Sequence, residues 1–129
     1  MVNNKNQNQN IDQKAMKAAE AYEKKRTGIS PNIIKKRLGY DIQSGDRKIE
    51  VKGTKLSWKV FQSSYVVVTD NERKNATHIY LYCNVLTEPE LHIFEVSKVH
   101  KALEPEITYQ LRFSQCREDE SVETKNVRG

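Results

Sequence analysis

Asp41, Glu50 and Lys52 are residues whose types and spacing could do chemistry together. They lie within Leu38–Lys55, where two alternating runs, Tyr40–Ser44 and Arg47–Lys52, flank Gly45-Asp46. A Gly-Asp pair between such runs predicts a two-residue hairpin loop, because Gly takes a positive φ at no steric cost. That loop sets Ser44 opposite Arg47, Ile42 opposite Ile49 and Tyr40 opposite Val51, with an apolar face. On the other face it sets Asp41 directly opposite Glu50, with Lys52 two residues along. Opposed residues in a sheet hold their Cβ atoms about 4.5–5.5 Å apart, where like charges repel. A divalent cation gives such a pair a reason, since hard cations take carboxylate oxygens. The amine beside them could hold an attacking water or a phosphate.

The elements around the hairpin must position these groups. Helical periodicity starts near Ile11, with Asn10 or Asp12 as cap, and Gly28 can end it. Ala15, Met16, Ala18, Ala19 and Tyr22 share its apolar face. Glu23 projects between Met16 and Ala19 and is expected to face inward, whereas Glu20 points further round. Taken without the hairpin, Glu23 reads rather as a boundary glutamate with a packed stem and a wet head. Ser30-Pro31 can open a short helical segment anchored by Ile33, Ile34 and Leu38, with Lys35, Lys36 and Arg37 in water and Gly39 as terminator. Gly53–Ser63 reads as a loop carrying Lys55, Trp58, Lys59 and Phe61. Interleaved basic and aromatic residues there could grip a phosphate backbone or stack on a base, as could Lys48 nearby. Alternatively, Trp58 and Phe61 pack on the core.

Downstream, the β-branched run Ser64–Val68 predicts a central buried strand. Thr69-Asp-Asn-Glu72 is a capping-box pattern that starts a short helix. Thr77–Val85 and Glu90–Val96 form a hairpin across Leu86–Pro89, Ser97 can cap a helical turn, and Thr108–Phe113 reads as a last, edge strand. Residues 1–10, rich in Asn and Gln, are expected to form a disordered tail, 11–116 a single domain, and 117–129 a flexible tail.

Composition narrows the classes. The chain has 129 residues and a formal net charge of +5, and 36% of it is hydrophobic. That suits one domain with one modest core. No apolar run approaches the ~20 residues of a membrane span, and the polar N-terminus has no secretory apolar region, so a cytoplasmic protein without membrane contact is expected. Cys83 and Cys116 read as reduced thiols. They and the three scattered histidines lack zinc-ligand spacing, and no Gly-rich phosphate loop occurs. Residues 1–60 hold 14 Lys/Arg against 6 Asp/Glu, whereas residues 61–129 hold 8 against 11. The basic half carries the hairpin, which points to an anionic partner, nucleic acid being the commonest.

The order helix–strand–strand–strand–helix–strand resembles the core of the PD-(D/E)xK, restriction-endonuclease-like superfamily. Its acid followed by (D/E)-x-K matches Asp41, then Glu50-Val51-Lys52. More closely, Gly39-Tyr-Asp-Ile-Gln-Ser44, Ile49-Glu-Val-Lys-Gly53 and Thr69-Asp-Asn-Glu72 resemble the NO VEIN C-terminal domain, a family often grouped with these nucleases. Tyr22-Glu23 is similar to its first-helix acid, and the likeness spans roughly Met16 to Val85. Gly39-Tyr40 stands where the superfamily has Pro before the motif Asp. The resemblance implies an α/β fold, an αβββαβ core with a mixed sheet flanked by helices, here with a C-terminal β-rich extension.

It also implies a metal-dependent nuclease acting on DNA. Asp41 and Glu50, with the Val51 carbonyl, would hold Mg²⁺ or Mn²⁺. Glu23 would complete the shell or orient water, and Lys52 would position the nucleophile or stabilise charge on phosphate. The alternative is a nucleic-acid-binding or protein-interaction module that keeps the fold without cutting. A domain this small rarely surrounds a duplex, which points to a homodimer.

Overall fold

The computed structural model describes residues 4–99, 102–104, 109–116 and 121–126. Helix α1 (Asn4–Thr27) leads into strands β1 (Asn32–Ile33), β2 (Ile42–Ser44) and β3 (Arg47–Gly53). A connection follows through helix α2 (Trp58–Phe61), strand β4 (Tyr65–Val68) and helix α3 (Asp70–Asn75). Strands β5 (His78–Cys83), β6 (Glu90–Glu95), β7 (Leu103–Glu104), β8 (Tyr109–Arg112) and β9 (Ser121–Asn126) complete the chain. The fold is mixed α/β. A six-stranded sheet runs β1-β2-β3-β5-β6-β9, and a three-stranded sheet runs β4-β8-β7. In the large sheet β3 and β5 are parallel, while the other neighbours are antiparallel.

Two cores lie on opposite faces of the large sheet. Ile11, Ala15 and Ala19 recur every fourth residue of α1, so they share one face, which packs on Ile42, Ile49, Tyr80, Tyr82, Leu91 and Ile93. Side chains alternate along each strand, so Ile79, Leu81 and Phe94 point the other way. There they meet Val68, Val99, Leu111 and Phe113 beneath the small sheet. Glu50 pairs with Ile79 and Lys52 with Leu81, which puts both on this second face, away from α1.

Several elements differ from the expectation. Asn4 to Asn10 belong to α1 rather than to a tail, since no Gly or Pro interrupts the run; residues 1–3 lie outside the described residues. Gly28 ends the helix as expected, at φ +78° with its amide on the Lys24 carbonyl. Ser30-Pro31 leads into β1, not a helix, because Asn32 and Ile33 pair with Gln43 and Ile42. Thus β1, β2 and β3 are the three successive strands that follow α1 in the large sheet. Strand β4 forms where expected but is not central, and only one side of it is buried, through Val68 and in part Val66. It edges the small sheet, with Tyr65 and Val67 exposed, because a β-branched run fixes strand preference and not location. Conversely, β8 is the middle strand of the small sheet instead of an edge. Ser121–Asn126, expected to be part of a flexible tail, forms β9 against β6; residues 117–120 and 127–129 lie outside the described residues.

Candidate active site

The hairpin closes through Gly45 at φ +59°, with Ser44 opposite Arg47 and Ile42 opposite Ile49. The ladder stops there. The Asp41 amide donates to the carbonyl of Ile49 at 2.8 Å, although Ile49 already faces Ile42. Two residues of one strand thus answer to one of the other, as in a β-bulge, which re-aims side chains. So Asp41 and Glu50 are not a directly opposed ladder pair. Instead Asp41 Oδ2 accepts the Val51 amide at 2.9 Å, and the Asp41 carbonyl accepts the Ile34 amide at 2.8 Å. Because β2 begins at Ile42, the flank of β3 beyond Ile49 has no strand beside it among the described residues, and the site opens there.

Two clefts meet at Asp41 and Glu50. One, of about 400 Å³, runs between Lys35–Tyr40 and the start of α3, reaching Thr69 and Glu72. The other, of about 440 Å³, runs between α1 and β4 and is lined by Asp12, Val51, Lys52 and Gly53 among others. Both acids therefore face solvent-filled space, although Glu50 is only 7% exposed. Gly53 lets α1 approach: a Cβ there would lie 3.0 Å from the Ala15 Cβ.

Lys52 Nζ lies 3.1 Å from Glu50 Oε2 and 3.1 Å from Glu72 Oε1. Glu72, the third residue of α3, closes its capping box, and its Oε1 also accepts the Thr69 amide at 3.0 Å. Helix α3 thereby fixes a carboxylate, which steadies the lysine beside Glu50. Burial raises the Glu50 carboxyl, and Asp41 and Glu72 add to that; Lys52 opposes it but does not win, leaving Glu50 at about 9. Burial would lower Lys52, yet Glu50 and Glu72 hold it above its ordinary value. The two shifts pull against each other, because Lys52 is raised partly by an anionic Glu50. For Glu50, burial is the leading cause and the carboxylates of Asp41 and Glu72 act in the same direction. Lys52 keeps Glu72 as a partner in either state.

Among the described residues, no group of three or more His, Cys, Asp or Glu could hold a metal ion. Asp41 and Glu50 on one cleft still fit a Mg²⁺-like cation, which retains several waters and uses one or two carboxylates. The Val51 amide leaves Asp41 Oδ1 for such a role. Lys52 also supplies part of the counter-charge itself.

Glu23 is fully buried, as expected, but on the α1 face of the sheet. Arg26 Nε donates to it at 3.0 Å and the Tyr80 hydroxyl at 2.7 Å, and Arg47 donates to Tyr80 Oη at 2.6 Å. Burial would raise Glu23, but hydrogen bonds from Arg26, Tyr80 and Ser44 outweigh it and hold the carboxyl below its ordinary value. The sheet therefore separates Glu23 from Glu50 and Lys52. The acid that α1 brings to the cleft is Asp12, which periodicity marks only as a cap, and Glu20 does not line either cleft. Glu72 was legible as a helix cap, not as a neighbour of Lys52.

The predicted nucleic-acid contacts also sort differently. Trp58 stacks on His92 at 4.1 Å between ring centroids and meets Phe113 edge-on at 5.1 Å, so it packs with the second core, as Phe61 does. Lys48 Nζ lies 5.7 Å from the Tyr40 ring centroid. Lys55 and Lys59 are exposed and line neither cleft. No helix among the described residues is long and apolar enough to cross a membrane.

No curated protein and no solved structure matches the chain. A family model does, over residues 11–94, from Ile11 in α1 into β6. That span takes in Asp12, Asp41, Glu50, Lys52 and Glu72, and it extends the Met16–Val85 likeness at both ends. The chain belongs to the family described as Protein NO VEIN, C-terminal.

Proposed function

We propose that the chain is a metal-dependent phosphodiesterase of the PD-(D/E)xK kind, cutting nucleic acid, DNA first among candidates, at the cleft of Asp41, Glu50 and Lys52. The observation that carries this reading is that Asp41 and Glu50 line both clefts while Lys52 sits 3.1 Å from Glu50. In this reading Asp41 and Glu50 would hold Mg²⁺ or Mn²⁺, which when bound would lower the pKa of a bound water and stabilise charge on phosphate. The Val51 carbonyl remains a proposed ligand. Lys52 orients the attacking water or meets the phosphate oxygen, and Glu72 keeps its ammonium in place. Asp12, and not Glu23, is the α1 acid that lines a cleft together with Asp41 and Glu50. With α2 and β4 set aside, since β4 lies in the small sheet, the order α1, β1, β2, β3, α3, β5 supports a restriction-endonuclease-like core in which β1, and not β4, completes the three strands.

A second reading, a binding module that does not cut, has its own support. Lys52 already bridges Glu50 and Glu72, so the acids are partly neutralised without any cation. Incubation with linear, circular and single-stranded DNA and with RNA, in Mg²⁺, Mn²⁺ or EDTA, separates the two. Metal-dependent cleavage that disappears in Asp41→Asn and Lys52→Met supports the hydrolase. Cleavage that survives those substitutions or EDTA sinks the mechanism, and binding without cleavage in either metal supports the module.

A further inference from the structure

We infer that the Lys35-Lys36-Arg37 turn is the phosphate-backbone grip of the cleft, holding the sugar-phosphate strand beside the phosphate that meets Asp41 and Glu50. The inference rests on the nucleic-acid reading above and names the residues that seat the substrate. Lys35, Lys36 and Arg37 are exposed, and all three line the 400 Å³ cleft that Asp41, Glu50 and Glu72 border from the other side. Consecutive residues of an extended segment would point opposite ways. Here the Leu38 amide donates to the Lys36 carbonyl at 2.9 Å, a tight turn centred on Arg37.

The loop is anchored and not merely basic. Its base is closed by the Ile34 amide on the Asp41 carbonyl at 2.8 Å, so the cations and the motif acid share one backbone bond. Its far end is held by Gly39, at φ +92°, packed so closely on α3 that a Cβ would fall 2.5 Å from the Asn71 carbonyl oxygen. Among the described residues, the three side chains have no ion pair with Asp or Glu. Three adjacent cations with no ion pair among the described residues repel one another, and an incoming row of phosphates relieves that repulsion. The acids opposite give the cleft a charge gradient. A strand held on the cationic wall presents its next phosphate to the acidic end, where only a cation-bridged contact is favourable.

Fluorescence anisotropy with a labelled DNA 20-mer, single-stranded and duplex, in EDTA across a salt series tests this. Replacing all three residues by Ala is expected to weaken binding at least tenfold at low salt. The dependence of log affinity on log salt should become shallower by about 2. A charge-conserving variant (Lys35→Arg, Lys36→Arg, Arg37→Lys) should restore both. The two DNA forms distinguish a single strand lying in the cleft from a duplex resting on its rim. Unchanged binding in the Ala variant overturns the inference. So do failure of the charge-conserving variant to restore it, no binding by the wild type, or an equal loss in Lys55→Ala/Lys59→Ala. Loop-dependent binding by a protein that cuts nothing in Mg²⁺ or Mn²⁺ keeps the inference and removes the hydrolase.

Discussion

Glu72 Oε1 accepts a hydrogen bond from Lys52 Nζ at 3.1 Å while also accepting the Thr69 amide, so one carboxylate both caps α3 and positions the amine of the cleft. Local helix chemistry and the long-range site are thereby linked through one oxygen. Glu72→Ala removes the capping-box return and the Lys52 contact together. A stability loss of about 1–2 kcal/mol is expected by urea denaturation. Glu72→Gln, whose amide oxygen can still accept both bonds, should lose less.

Stability should fall with rising pH because of Glu50. Its carboxyl is raised in the folded chain, so the native state binds the extra proton between the ordinary 4.5 and about 9. The contribution is fully present below 4.5 and is lost as pH rises through about 9, at most about 1.4 kcal/mol per pH unit. Glu23 has the opposite sign: its contribution is present above 4.5 and is lost as pH falls through its lowered value. Unfolding free energies of wild type and Glu50→Gln, measured from pH 5 to 9, isolate Glu50. The difference should drift in favour of Gln as pH rises, and a flat difference would show that Glu50 ionises normally.

Tyr80→Phe deletes a hydroxyl that bridges Glu23 and Arg47 within the α1-side core. Leaving the buried Glu23 and the half-buried Arg47 short of a partner should cost about 1–3 kcal/mol in chemical denaturation. Because the network lies across the sheet from Glu50 and Lys52, DNA binding by the folded variant should stay within twofold of the wild type.

Gly39→Ala places a Cβ against the Asn71 carbonyl at a positive φ. A loss of about 1–3 kcal/mol is expected. Since Gly39 seats the cationic loop on α3, weaker DNA binding should accompany it at temperatures where the variant is fully folded.

The hairpin and its turn were legible because period-2 alternation and Gly45 are local signals. The bulge at Asp41 was not, since one inserted residue leaves no mark on the hydrophobic pattern, yet it moves Asp41 from the ladder onto the Val51 amide. Helical periodicity turned Glu23 inward correctly but could not say which face of the sheet α1 covers. That choice put Glu23 beside Tyr80 and left Asp12 near the acids. The capping box was readable from Thr69 and Glu72, whereas the contact with Lys52 joins residues 20 positions apart. Trp58 showed the same limit: spacing offered it to solvent or core, and stacking on His92 decided for the core.

Binding of Mn²⁺, followed by the relaxation of water protons around the bound ion, tests most directly whether Asp41 and Glu50 exist to hold a cation. The wild type should bind saturably. Asp41→Asn and Glu50→Gln should each weaken binding at least about tenfold, while Glu23→Gln, on the other face of the sheet, should leave it unchanged. Equal binding in wild type and both cleft variants, or no binding at all, would contradict the account.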